Sequence, residues 1–109
     1  MNGIDIAENI LPNRKPYERT LYLLKCYKDL KTGKNIKERN SSVMLLMDRI
    51  LEEIEDDRYI DIIKYVYIEG YTNEKTAELL GIDRRTLYRN KRRIIKRIAI
   101  IIYGDEALL

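Results

Sequence analysis

The stretch YTNEKTAELLGIDRRTLYRNKRRIIKRI, residues 71–98, decides the fold, because two helical patterns stand on either side of a glycine and each has its own capping residue. Thr72 is placed to cap the first helix, and Glu74 sits in its first turn, where the helix dipole favours an anion. Ala77 is small where two helices would cross, and Leu80 is expected to point to the core. Gly81 permits a positive φ at the break. Ile82 is expected to plug the core, and Asp83 to cap a second helix running from Arg84 to Tyr103. A capped two-turn helix, a glycine turn and a second capped helix make the helix-turn-helix layout.

At 100° per residue, Leu87, Ile94, Ile98 and Ile101 of the second helix fall on one side and Arg85, Arg89, Arg92 and Lys96 on the other. Asn90 lies at the edge of the apolar side, which predicts either a polar contact between helices or a slight rotation of this helix. The net charge of +3 conceals a segregation. Between Asp48 and Asp61 seven acidic residues meet only Arg49 and Arg58, whereas Arg84, Arg85, Arg89, Lys91, Arg92, Arg93, Lys96 and Arg97 have no acidic residue among them. A basic run on a helix is most often a solvated face; following a cap and a glycine turn, it points to a polyanion. Duplex DNA is the expected partner, with the second helix in the major groove. The start of such a helix goes deepest, which makes Arg84, Arg85, Tyr88 and Arg89 the base-reading candidates. Thr72, Asn73, Lys75, Arg92 and Lys96 are the phosphate candidates, adding affinity more than sequence preference.

Working outward toward the N-terminus, the chain reads as all-α, with a helical N-terminal half before the helix-turn-helix. Pro16 opens a helix to Lys31, with Tyr17, Leu21, Leu23, Leu24, Tyr27 and Leu30 at helical spacing. Thr32 to Asn40 is a polar connector. Ser41 or Ser42 caps a second helix carrying Val43, Leu46, Met47, Ile50, Leu51 and Ile54, its other face acidic. Asp56 or Asp57 is expected to cap a third, which buries Tyr59, Ile62, Ile63, Val66 and Tyr67 and ends at Gly70. Residues 1–15 show no helical period and read as an arm, in which Arg14 and Lys15 fit either a tail or a minor-groove reader. The expected units are an arm at 1–15, a helical region at 16–55, a DNA-binding region at 56–104 and a tail at 105–109.

The 109 residues include no histidine and one cysteine, Cys26, so the usual zinc sets, histidine acid-base chemistry and an internal disulfide are unavailable. Neither an enzyme nor a cofactor is expected. The apolar run from Ile98 to Tyr103 is far short of the roughly 20 residues that span a bilayer. No leader pattern opens the chain, so the cytoplasm is the expected compartment.

The run from Ile62 to Ile98, with Tyr67, Glu69, Gly70, Tyr71 and Thr72 followed by TAELLGIDRRTLYRN from Thr76 to Asn90, resembles region 4 of sigma-70-type factors. It is more closely similar to small phage and prophage transcriptional regulators of low-GC Gram-positive bacteria, the ArpU and RinA-like group. Tyr17, Arg19, Thr20, Leu24, Tyr27 and Leu30 to Lys31 resemble the opening helix of those proteins. The resemblance implies control of transcription, often of late phage genes, with RNA polymerase as a further partner. The roughly 70 residues before the helix-turn-helix are too few for the promoter-melting domain of a complete sigma factor, which favours a regulator. Ile98 to Ile102 is compatible with intramolecular core, the simpler expectation, or with a homodimer seam. Two other functions fit the same residues: a DNA-packaging (small terminase) or recombination accessory, and a helical module whose basic helix binds an acidic protein.

Overall fold

The computed structural model describes residues 3–33 and 42–108; Ser41 and most of the expected connector, residues 34–40, lie outside them. The fold is all-α, with α1 (Gly3–Asn9), α2 (Pro16–Lys31), α3 (Ser42–Glu53), α4 (Ile60–Tyr67), α5 (Asn73–Leu80) and α6 (Arg84–Tyr103), followed by a 3-10 turn (Gly104–Leu108). α6 is the spine, packing on α1, α2, α4 and α5, while α3 packs on α1 and α2.

Pro16 starts α2 because its fixed φ suits a first helical position and holds Lys15 extended (φ −68, ψ 152). Lys28 and Lys31 in the last turn complement the helix dipole. From this helix Leu23, Leu24, Tyr27 and Leu30 enter the core, where they join Val43, Met47, Ile50 and Leu51 of α3, Ile54 just beyond it, Ile63 and Val66 of α4, and Ile94, Ile95 and Ile98 of α6. Each such side chain contributes about 1.5–3 kcal/mol by leaving water. The Tyr27 hydroxyl donates to Asp48 Oδ1 at 2.5 Å and Lys31 pairs with the same oxygen at 3.2 Å, which joins α2 to α3. Burial, and then the Asp48 carboxylate, push the Tyr27 phenol above its ordinary pKa.

Residues 1–15, read as an arm without period, contain the helix α1. Its anchor is Arg19, which is 4% exposed. The guanidinium donates to the carbonyls of Ala7 (2.9 Å), Glu8 (2.7 Å) and Ile10 (3.0 Å), and stands 4.4 Å from the centroid of the Tyr103 ring. Glu106 lies 3.7 Å from it, and the Tyr103 hydroxyl donates to the Ala7 carbonyl at 3.0 Å. The open carbonyl end of a helix too short to stand alone is thus satisfied by a cation from α2 and a phenol from α6. Periodicity carries no signal for that arrangement.

Three packing expectations change. Asp57 does not cap α4, which begins at Ile60 with Tyr59 in the capping position and no side-chain bond there. Leu80 and Ile82 are half-buried rather than core, and Thr76 is the buried residue of α5, its hydroxyl donating to the Thr72 carbonyl at 2.8 Å. Ile101, expected beside Ile98 on the apolar side, is 43% exposed, whereas Ile95 and Ala99 are buried. A helix that packs on four others does not present one straight stripe, and its buried edge drifts toward Ile95 and Ala99 in the last turns. No helix among the described residues is long and apolar enough to cross a membrane.

Candidate nucleic-acid interface

The turn between α5 and α6 is built as its residue types dictate. Thr72 Oγ1 accepts from the Lys75 amide at 3.1 Å, capping α5. Gly81 ends that helix at φ 65, ψ 34, and the Ile82 amide reaches back to the Ala77 carbonyl at 3.1 Å, a Schellman closure. A Cβ on Gly81 would meet nothing within 4 Å, so the demand for glycine comes from φ and not from space. Asp83 Oδ1 then accepts from the Thr86 amide at 2.6 Å and caps α6. That bond, with the Thr86 hydroxyl, holds the Asp83 carboxyl below the usual carboxylate range.

The outer edge of α6 presents Arg85, Tyr88, Arg89, Arg92 and Lys96 to solvent. Arg85, Arg89 and Lys96 make no hydrogen bond or ion pair with any described residue, and the Arg92 guanidinium stands 5.9 Å from the Tyr17 ring centroid. From position 85 to position 96 this edge runs about 16 Å at 1.5 Å per residue. DNA carries one phosphate charge per about 1.7 Å of axis, so an edge of this length matches the spacing of several phosphates. Arg84, the first base-reading candidate, pairs with Glu74 at 3.8 Å, both side chains being well exposed. Such a pair contributes at most about 1 kcal/mol, so Arg84 can leave it for another anion.

The flank of the helix next to this edge behaves differently. Arg93 grips Asp57 through two bonds, Nη1 to Oδ2 at 2.9 Å and Nη2 to Oδ1 at 2.8 Å, and Arg97 Nη1 adds one to Oδ2 at 3.3 Å. The Tyr59 amide donates to Asp57 Oδ1 at 3.0 Å. The Asp57 side chain is only 4% exposed, and these donors, Arg93 foremost, hold its pKa down to about 2. The expectation that residues 84–97 face no acid is therefore corrected: Arg84, Arg93 and Arg97 each meet one. The reason is tertiary: the anionic segment before α4 folds against Arg93 and Arg97, and the first turn of α5 brings Glu74 to Arg84.

Asn90 does not make the polar contact between helices that was one of its two predicted roles. It is buried and bonds within its own helix, Nδ2 donating to the Thr86 carbonyl at 2.9 Å and Oδ1 accepting from Arg93 Nε at 3.3 Å. It thereby steers Arg93 toward Asp57. The phosphate candidates of α5 stay near its N-terminus, where Lys75 lies over the Tyr71 ring at 4.5 Å and Asn73 Oδ1 accepts from Lys91 Nζ at 3.1 Å. Lys91, which sequence reasoning counted only as part of the basic run, also lies 5.5 Å from the Tyr67 ring centroid.

No curated protein and no solved structure matches this chain. A family model does, that of the ECF sigma factors, over residues 25–99. The match runs from the middle of α2 through the core helices and both helices of the turn, and ends at Ala99, in the last turns of α6. A sigma-type helix-turn-helix on a helical N-terminal half, matched over more than two-thirds of its length, places this chain in the ECF sigma factor family.

Proposed function

We propose that this chain regulates transcription by binding duplex DNA, with the outer edge of α6 in the major groove. One observation carries the reading: in a helix whose other cations are engaged, Arg85, Arg89 and Lys96 share an exposed edge without a hydrogen bond or ion pair to any described residue, immediately after a capped turn. Arg85 and Arg89, with Arg84 and Tyr88, read base edges, guanine O6 and N7 being the commonest target of arginine. Thr72, Asn73, Lys75, Arg92 and Lys96 take phosphates. The protein acts without catalysis, RNA polymerase is its second partner in keeping with the family match, and the similarity of residues 16–103 to ArpU and RinA-like regulators supports a phage or prophage origin. Ile100 and Ile101, exposed beyond the cationic edge, are where two copies would pair.

Footprinting on phage promoter fragments tests this reading. It predicts a defined protected site near a promoter that Arg85→Ala and Arg89→Ala together abolish. Uniform weak protection that the double substitution leaves unchanged would refute base reading by α6.

A further inference from the structure

Beside the turn, on the flank of α6 away from its outer edge, lies an open cleft of about 500 Å³ between α2, α4, α5 and α6. Three lysines from two elements line it: Lys25 and Lys28 of α2 and Lys91 of α6. Lys25 and Lys28 make no hydrogen bond or ion pair with any described residue through their ammonium groups, and Lys91 donates only to the neutral Asn73 amide. The one acid on the wall, Glu74, has its ion pair outside this group, with Arg84. Burial, and then the nearby Lys28 ammonium, push the Lys91 pKa down. Two like charges held within range of one another, with no ion pair to any described residue, cost free energy that a bound anion would remove.

The cleft also indicates which anion. Of its two aromatic rings, Tyr67 is buried with the Lys91 ammonium beside it, and Tyr71 carries the Lys75 ammonium and stacks on Tyr65, so neither offers a planar base an open ring to stack on. Compact ammonium donors remain, beside the amide end of α5, whose dipole favours negative charge. A lysine is a point-charge binder suited to phosphate. Resting on the DNA-binding reading above, we propose that Lys25, Lys28 and Lys91 form a phosphate site, and that its occupant is a backbone phosphate of the bound duplex beyond those met by the helix-turn-helix itself. α2, from the N-terminal half, thereby becomes part of the DNA interface.

The test is anisotropy of a random-sequence duplex across a salt series, with Lys25→Gln/Lys28→Gln beside the wild type and beside Arg85→Ala/Arg89→Ala. Lys25 is exposed and Lys28 half-exposed, so the glutamine variant keeps its fold, which its circular dichroism and Tm check. The proposal predicts a salt slope shallower by about 0.9, the loss of one phosphate, and an affinity down roughly tenfold near 0.1 M salt. An unchanged slope in the lysine variant, with binding lost in the arginine variant, would overturn the cleft while leaving the recognition helix standing. A folded wild type that binds no duplex at low salt would overturn both the DNA reading and this occupant. Tripolyphosphate distinguishes the other source of the same chemistry: direct binding of the free anion by the wild type, lost in the lysine variant while its duplex affinity and salt slope stay those of the wild type, would overturn the duplex as occupant and assign the site to a soluble phosphate instead.

Discussion

Arg92 and Arg93 are neighbours in sequence on opposite sides of a division that runs the length of α6. Arg85, Arg89 and Lys96 lie on the outer edge with Arg92 and meet water. Arg93 and Arg97 lie on the flank and close on one carboxylate at 2.8 and 3.3 Å. The side-chain types are the same and the surroundings are opposite. Counting charges along the helix therefore overstates its cationic character, because one set of arginines holds the helix in place and the other is left exposed. Asp57 also fixes the rotation of α6, since a bidentate carboxylate constrains Arg93 in direction as well as distance.

The comparison is broken most easily on the outer edge. Arg85→Ala or Arg89→Ala alone should weaken binding to a specific duplex by about 1–3 kcal/mol and relax preference at one base position, with Tm unchanged. Competition titrations against single-base variants of the footprinted site check this. Equal loss on every sequence would make them phosphate contacts.

The flank should respond in stability instead. Arg93→Gln/Arg97→Gln leaves a nearly buried carboxylate without its guanidinium partners and should cost about 1–2 kcal/mol in urea unfolding. The value stays at this low end because both arginines are about half-exposed to screening water. Duplex affinity should stay within about twofold, well under the effect of a base contact. Asp57→Asn sharpens the contrast from the other side. It should lower stability by about 1 kcal/mol and, by freeing two guanidiniums, steepen the salt dependence of duplex binding.

The smallest effect is the pH dependence of that contact. The folded pKa of Asp57 lies below its ordinary value, so its contribution is present above the ordinary carboxylate range and is lost as pH falls from about 4 toward 2. Screening at the half-exposed arginines keeps it to at most about 1 kcal/mol. Urea midpoints across this window should fall less steeply in Asp57→Asn than in the wild type. Parallel curves would show that the contact adds nothing.

What the sequence disclosed follows the range of the interactions. The α5–α6 turn was legible, down to Thr72, Gly81 and Asp83, because each cap acts within three residues of itself. The bounds of α2 and α6 were legible for the same reason, Pro16 and Asp83 marking their starts. The contact of Asp57 with Arg93 spans 36 positions, and neither residue differs in type from its exposed neighbours, so no periodicity separates them. α1 was missed because its stability comes from Arg19 and Tyr103, the latter 96 positions from the carbonyl it binds. The outer edge was read correctly by the helical wheel, whereas Ile101 was not, since a wheel carries no information about which neighbours cover each turn.

Whether the outer edge and the flank of α6 have separate tasks is decided most directly by one salt-series anisotropy titration of Arg85→Ala/Arg89→Ala and Arg93→Gln/Arg97→Gln on the same duplex. Each pair removes two positive charges from one helix. The first should lose binding with its fold intact, and the second should bind nearly as the wild type does, with a similar salt slope. Equal losses in affinity and slope for the two pairs would contradict that separation, and would mean that duplex DNA responds to the total charge of α6 and not to the edge that carries it.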